Sequence, residues 1–313
     1  MVLLDKKAKV KGLSLLLKLL VFSATLYFIY IKVVKNDNFI SLSEIFFHFS
    51  RKEFLLLALV VMLMPLNWLL ESLKWKKLLK DIETITLVTS LKAVWAGLTI
   101  NNWIPNRMAE FLGRMLFLKK ENRNQSVSCT LTGGLAQFSV TIIWGVFSIF
   151  LVYSGLFSKS YLLLAVVISV FLLVFYFNLN ALNFITKRFR FFEKYTNVLT
   201  FYNIRQLTGI LIISSIRYFV YLLQYFLILK TYSINIGFVE GISGVSVVFL
   251  IQALLPSVTL TEIGTRGAAV LFVFERFGAA PVNLLLSAYT LWVINIIIPT
   301  LFGVFFILKI KTK

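Results

Sequence analysis

Apolar residues run along this chain in long blocks separated by short polar or basic breaks. A helix needs roughly 20 mostly apolar residues to cross the hydrocarbon of a bilayer. Six blocks meet that length: Gly12–Val34, Phe54–Trp75, Val127–Tyr153, Tyr161–Asn180, Leu207–Leu229 and Val282–Leu308. Each is predicted to be a full transmembrane helix. Two further stretches, Leu91–Lys120 and Gly241–Arg276, have apolar limbs (Leu91–Ile104 and Gly241–Leu255) too short to span comfortably. Each limb runs into a proline, Pro105 or Pro256, which lacks a backbone donor and disfavours helix in the residue before it. These stretches are predicted to be re-entrant helical hairpins.

The pattern repeats. Span, span, hairpin, span occurs over residues 12–154 and again over 160–309. Three full spans per unit would place the second unit inverted relative to the first, a plan common in secondary transporters. The expected fold is therefore an all-α polytopic membrane protein, about six full helices plus two re-entrant hairpins in an inverted repeat.

Composition agrees. Hydrophobic residues make up 59% of the 313 positions and mean hydropathy is +0.88. No polar stretch is large enough for a soluble second domain, so residues 1–313 read as one integral membrane domain. The net charge of +19 sits in short loops and at the ends. The basic runs Lys6–Lys11, Lys76–Lys80, Lys119–Arg123, Lys187–Arg205 and Lys309–Lys313 all fall on one side of the predicted topology. Basic loops face the cytoplasm, which puts both termini there and the protein in the cytoplasmic (inner) membrane as a multi-pass protein. Nucleic-acid binding would need a soluble basic face, and none is expected. One cysteine, Cys129, and one histidine, His48, support neither a disulfide nor a metal site. No phosphate-binding Gly-x-x-x-x-Gly-Lys-Ser/Thr loop occurs, so no nucleotide drives the protein directly. No cofactor is expected.

Charges inside apolar blocks carry the chemistry. Glu110 and Arg114, like Glu262 and Arg266, are four residues apart and share a helix face; Arg107 joins the first pair. Arg217 sits mid-span beside Ser214 and Ser215. A charge at a helix centre costs on the order of 3 kcal/mol on insertion scales. The hairpin tips add Asn101, Asn102, Pro105 and Asn106 in the first, and Pro256, Ser257, Thr259 and Thr261 in the second. Irregular backbone at membrane depth must be buried or line a wet cavity, and the helix N-terminus after each break favours an anion. Two readings compete: the charges brace helices to one another, or Arg107, Arg114, Arg217 and Arg266 meet an anionic headgroup while Glu110 and Glu262 hold or compete for them. Arginine suits phosphate through its planar fork.

Weaker candidates are Gln137, Gln224, Gln252 and Asn295, as polar lining or interhelical bonds. Glu71, close to Lys74, reads as an ion pair at the membrane edge. The six tryptophans read as packing or belt residues, Phe184–Tyr202 as an amphipathic surface helix, and His48 as inert.

Pro105, Arg107, Ala109-Glu110 and Arg114, with Pro256 and Gly264-Thr265-Arg266, resemble the signatures of the lysylphosphatidylglycerol synthetase transmembrane-region, or flippase-like, family. Ala109 stands where glycine is usual, Arg114 comes one residue late, and Gly267 stands where an acid often follows. The resemblance implies a membrane half that moves a lipid between leaflets. With no room for a soluble aminoacyl-transfer domain, synthesis of lysyl-lipid is not expected. The expected function is a non-enzymatic lipid transporter or flippase. Its partner would be a membrane lipid with an anionic headgroup, a phospholipid or a polyprenyl-phosphate-linked lipid. The alternatives are an intramembrane enzyme on lipid-linked phosphate or sugar, and a structural assembly subunit.

Overall fold

The computed structural model describes residues 49–103, 109–153, 158–179, 199, 202–255 and 259–309, with residues 103, 153 and 259–263 described by backbone alone. The predicted span Gly12–Val34, His48 and most of the predicted surface helix Phe184–Tyr202 lie outside these residues. All regular structure among the described residues is helical: α1 (Arg51–Leu78), α2 (Leu87–Trp103), α3 (Glu110–Met115), α4 (Arg123–Ser148), α5 (Lys159–Phe177), α6 (Ile204–Thr231), α7 (Phe238–Leu254), α8 (Thr259–Phe274), α9 (Pro281–Trp292) and α10 (Ile298–Leu308).

Five rods among the described residues are long and apolar enough to cross a membrane: Arg51–Leu78, Lys120–Val152, Lys159–Phe177, Ile204–Thr231 and Pro281–Leu308. They coincide with the five predicted spans that fall there. Two of them start before their apolar blocks because polar caps lie outside the blocks. Ser50 and Glu53 form a capping box on α1, as do Asn203 and Gln206 on α6; each satisfies two orphan amides of the first turn. The last rod is α9 and α10 joined through a π-helical turn, Val293–Ile297. Pro299 follows that turn and has no amide to return to the preceding turn, so the widened backbone falls where the regular bond pattern is interrupted.

Each of the two predicted hairpin stretches holds a pair of helices among the described residues. In the first, α2 has 17 residues and α3 only six. In the second, α7 has 17 and α8 has 16. At 1.5 Å per residue the longer limbs reach about 25 Å, short of the ~30 Å hydrocarbon core. α2 and α3 touch backbone to backbone. A Cβ on Gly113 would lie 2.4 Å from the carbonyl of Ala96 and the amide nitrogen of Gly97, and one on Gly97 would meet the Glu110 carbonyl at 2.7 Å. Only glycine permits that approach. Gly303 lets α10 lie equally close to α2, whose Thr99 hydroxyl donates to the Thr300 carbonyl at 2.9 Å. Trp95 stacks there on Phe302 and Phe306.

The centre of the molecule is the antiparallel pair α1 and α6. Gln206 Nε2 donates to Asp81 Oδ2 at one end (2.8 Å), and Gln224 Nε2 to the Val60 carbonyl toward the other (2.9 Å). α4 packs beside this pair and against α7, while α5 packs chiefly on α4 and leaves most of its apolar surface exposed. Below the crossing of α1 and α4, Tyr202 donates its phenol to the Leu78 carbonyl at 3.0 Å, next to the wholly buried Cys129. Burial pushes the Tyr202 phenol well above its ordinary range, so it remains a neutral donor.

Candidate functional site

Arg217 lies halfway along the 28-residue α6, where at membrane depth a donor needs a protein partner or a wet cavity. Its Nε donates to Asn67 Oδ1 at 2.8 Å and its Nη1 to Gln137 Oε1 at 3.1 Å. Nη1 also lies 3.1 Å from Glu71 Oε2, and the guanidinium stands over the Trp68 ring at 5.6 Å. Asn67 is held in turn by Gln224, its amide donating to Gln224 Oε1 at 3.4 Å.

Glu71 is the hub. Its Oε1 accepts from Arg114 Nη2 at 2.9 Å, and its Oε2 faces Lys74 Nζ at 2.7 Å as well as Arg217. Arg114 also pairs with Glu110 and lies over the Trp75 ring. Lys74 donates to the Gly133 carbonyl at 3.3 Å. Glu71, Lys74 and Arg114 are 6%, 1% and 2% exposed. Five charged groups from α1, α3 and α6 thus form one connected cluster. A buried carboxylate of this kind is stable only because several cations and donors surround it.

Beside the cluster opens a cavity of about 200 Å³ walled by α4, α6, α7 and α8. Its polar lining is Gln137, Arg217, Tyr218, Tyr221, Gln252 and Arg266, with Thr141, Phe249 and Ala253 completing the wall. The lining is rich in donors. Two guanidiniums and two amides face the space, and the Tyr218 phenol is fixed by a 2.7 Å hydrogen bond with Ser246. Arg217 belongs to both cluster and cavity.

The predicted residues separate into groups. Arg217 and Arg266 come together at the cavity. Glu110 pairs with Arg114 as the four-residue spacing anticipates, but Arg114 is enclosed by Glu71 and Glu110 and is absent from the cavity lining. Gln137 and Gln252 line the cavity, whereas Gln224 and Asn102 bond between helices, Asn102 Nδ2 donating to Thr300 Oγ1 at 2.7 Å. Asn101 is half-buried on α2, and Asn295 bonds back to the Leu291 carbonyl. Thr259, Thr261 and Glu262 lie on α8 with side chains outside the described set. Pro105, Asn106, Arg107, Pro256 and Ser257 lie outside the described residues.

Glu71 corrects the sequence reading. It pairs with Lys74 as expected, but the pair is buried in the protein and joined to Arg114 and Arg217. The available signal was spacing. Asn67, Glu71 and Lys74 fall at i, i+4 and i+7 on α1, which puts them in one polar stripe.

A polytopic helical membrane protein with a charged cluster and a cationic cavity between its helices is the class these features define. The family described as lysylphosphatidylglycerol synthase TM region matches residues 15–303, and the chain belongs to that family. No curated protein and no solved structure matches it.

Proposed function

We propose that the protein is a lipid transporter that moves an anionic-headgroup lipid, a phospholipid or a polyprenyl-phosphate-linked lipid, between the leaflets of the cytoplasmic membrane. The observation that carries this reading is the convergence of Arg217 and Arg266 on one donor-rich cavity among membrane helices. Guanidinium forks suit phosphate oxygens. The cavity is smaller than the ~300–1,000 Å³ of drug-sized pockets, which fits a compact headgroup whose tails stay in the bilayer. Its lining of guanidinium, amide and phenol groups favours binding over acid–base catalysis.

In this reading the two broken helix pairs are re-entrant, the halves 12–154 and 160–309 are inverted repeats, and both termini face the cytoplasm. The shortness of α2, α7 and α8 and the recurrence of long helix, broken pair, long helix support it. The membrane lipid itself is the partner, and alternate exposure of the cavity to the two leaflets is the transport step.

The test is movement of fluorescent phosphatidylglycerol in proteoliposomes, read by quenching of the outer leaflet with and without a pH gradient. Movement above protein-free vesicles, lost in Arg217→Ala/Arg266→Ala protein that still folds, is the expected result. Rates equal to protein-free vesicles for several anionic lipids would remove the proposal and leave the charged cluster as a helix brace.

A further inference from the structure

The cluster centred on Glu71 holds three cations, Lys74, Arg114 and Arg217, against two carboxylates, Glu71 and Glu110. With every group ionised it carries one uncompensated positive charge at a place where unpaired charge is expensive. Arginine does not give up its proton in proteins, and each carboxylate is held by at least one arginine. Lysine is the member whose charge responds to burial and to its neighbours.

Lys74 is built to exist in either form. Its nitrogen donates to the Gly133 carbonyl and lies 2.7 Å from Glu71 Oε2, and a neutral amine keeps two N–H groups, enough to hold the first bond and still face the carboxylate. The charged groups facing it are Glu71 on its own helix, Arg114 on α3, which Glu110 also holds, and Arg217 on α6. From α4 it meets the Gly133 carbonyl; the thiol of that helix, Cys129, lies against the Leu78 carbonyl and Tyr202. On α2, Lys92 lies over the Phe306 ring, toward α10.

We propose that Lys74 is a proton-binding site coupled to the cavity: an anionic headgroup seated on Arg217 brings one proton onto the Lys74 nitrogen, and its departure releases that proton. This rests on the reading of the cavity as an anion site. Two states then leave the cluster neutral: empty with Lys74 as the amine, and loaded with a monoanion and Lys74 as the ammonium. Arg217 transmits the coupling, because the guanidinium that lines the cavity also touches the carboxylate oxygen that Lys74 touches. The bonding change is the formation of one N–H bond on the Nζ lone pair with a proton from solvent. The lipid is thereby moved together with a proton, which gives transport a route to the pH gradient. By reciprocity, protonation of Lys74 raises anion affinity by the factor by which the anion raises proton affinity, roughly a hundredfold if uptake is to approach one proton.

The experiment is calorimetric titration of the purified protein in detergent with a short-chain phosphatidylglycerol, a monoanionic phosphodiester, in two buffers of different ionisation enthalpy at the same mildly alkaline pH. About one proton taken up per lipid bound, with affinity falling as pH rises, is the expected result. Lys74→Arg, a permanent cation, should still bind without uptake; Lys74→Gln, permanently neutral, should bind roughly tenfold more weakly, also without uptake. Wild-type binding with identical heats in both buffers, or uptake that persists in a folded Lys74 variant, overturns the coupling while leaving the cavity as an anion site. Binding that is absent, or untouched by Arg217→Ala, overturns both the cavity reading and the coupling.

Discussion

Glu71 Oε2 and Arg217 Nη1 stand 3.1 Å apart, joining α1 to α6 at the point where the charged cluster meets the cavity. The contact makes Arg217 a shared resource. One side of its guanidinium is engaged by Glu71, Asn67 and Gln137, and the group also forms part of the cavity wall. Structural bracing and ligand binding, the two readings open for the intramembrane charges, therefore meet in one residue. The first group of consequences concerns stability, the second the cavity.

Glu71→Gln leaves Arg114, Arg217 and Lys74 around a neutral amide. Removing one partner of a buried ion pair costs about 3–5 kcal/mol, so a large fall in thermal midpoint is expected. Glu110→Gln should cost less, since Glu110 is about one-third exposed and touches only Arg114 within the cluster. Thermal unfolding in detergent, followed by size-exclusion chromatography, checks the order; an equal loss for both variants would mean Glu71 is not the hub.

Gly113→Ala forces a methyl group to within 2.4 Å of the Ala96 backbone. Backbone cannot move aside as a flexible side chain would, so α2 and α3 must separate and the folded yield should collapse. Gly134→Ala in α4 is the control. Nothing lies within 4 Å of its added Cβ, and the change should be neutral or stabilising by about 0.5–1 kcal/mol. Fluorescent size-exclusion profiles of the two variants separate a packing effect from a general intolerance of alanine.

Cys129, the chain's one cysteine, is fully buried. A maleimide should fail to label the folded protein and label it completely once unfolded, which turns the thiol into an unfolding gauge. Tyr202→Phe removes the donor to the Leu78 carbonyl, worth about 1 kcal/mol, and should speed labelling several-fold. Rapid labelling of native wild type would show that the region around Cys129 opens readily.

Arg217→Lys keeps the charge but loses the fork that reaches Asn67, Gln137 and Glu71 together. Retention of co-purified anionic lipid, measured by native mass spectrometry, should fall by about tenfold, in line with the loss of a charge-assisted hydrogen bond. Arg266→Ala should lower retention similarly with a smaller loss of stability than Glu71→Gln. Unchanged lipid content in both would separate the cavity from lipid binding.

What the amino-acid sequence determined by itself is the class, the helices and the exceptional residues. Long apolar blocks have few alternatives to membrane helices, because unpaired backbone groups cannot survive in hydrocarbon. Arg217 could be singled out because a charge at the centre of such a block needs a reason. The breaks near Pro105 and Pro256 were equally plain, since proline acts on its own neighbours. The tertiary structure decided which charges meet. Glu71 lies three positions before Lys74 and looked like a local pair, yet its other partners, Arg114 and Arg217, come from distant segments. Likewise, Arg114 resembled a cavity residue until Glu71 was seen to enclose it. Helical spacing specifies which residues share a face of one helix. Only the packing of α1 on α6 and α4, and of α3 on α2 through Gly97 and Gly113, specifies which faces are pressed together, and so separates the arginine that braces the fold from the one that faces the cavity.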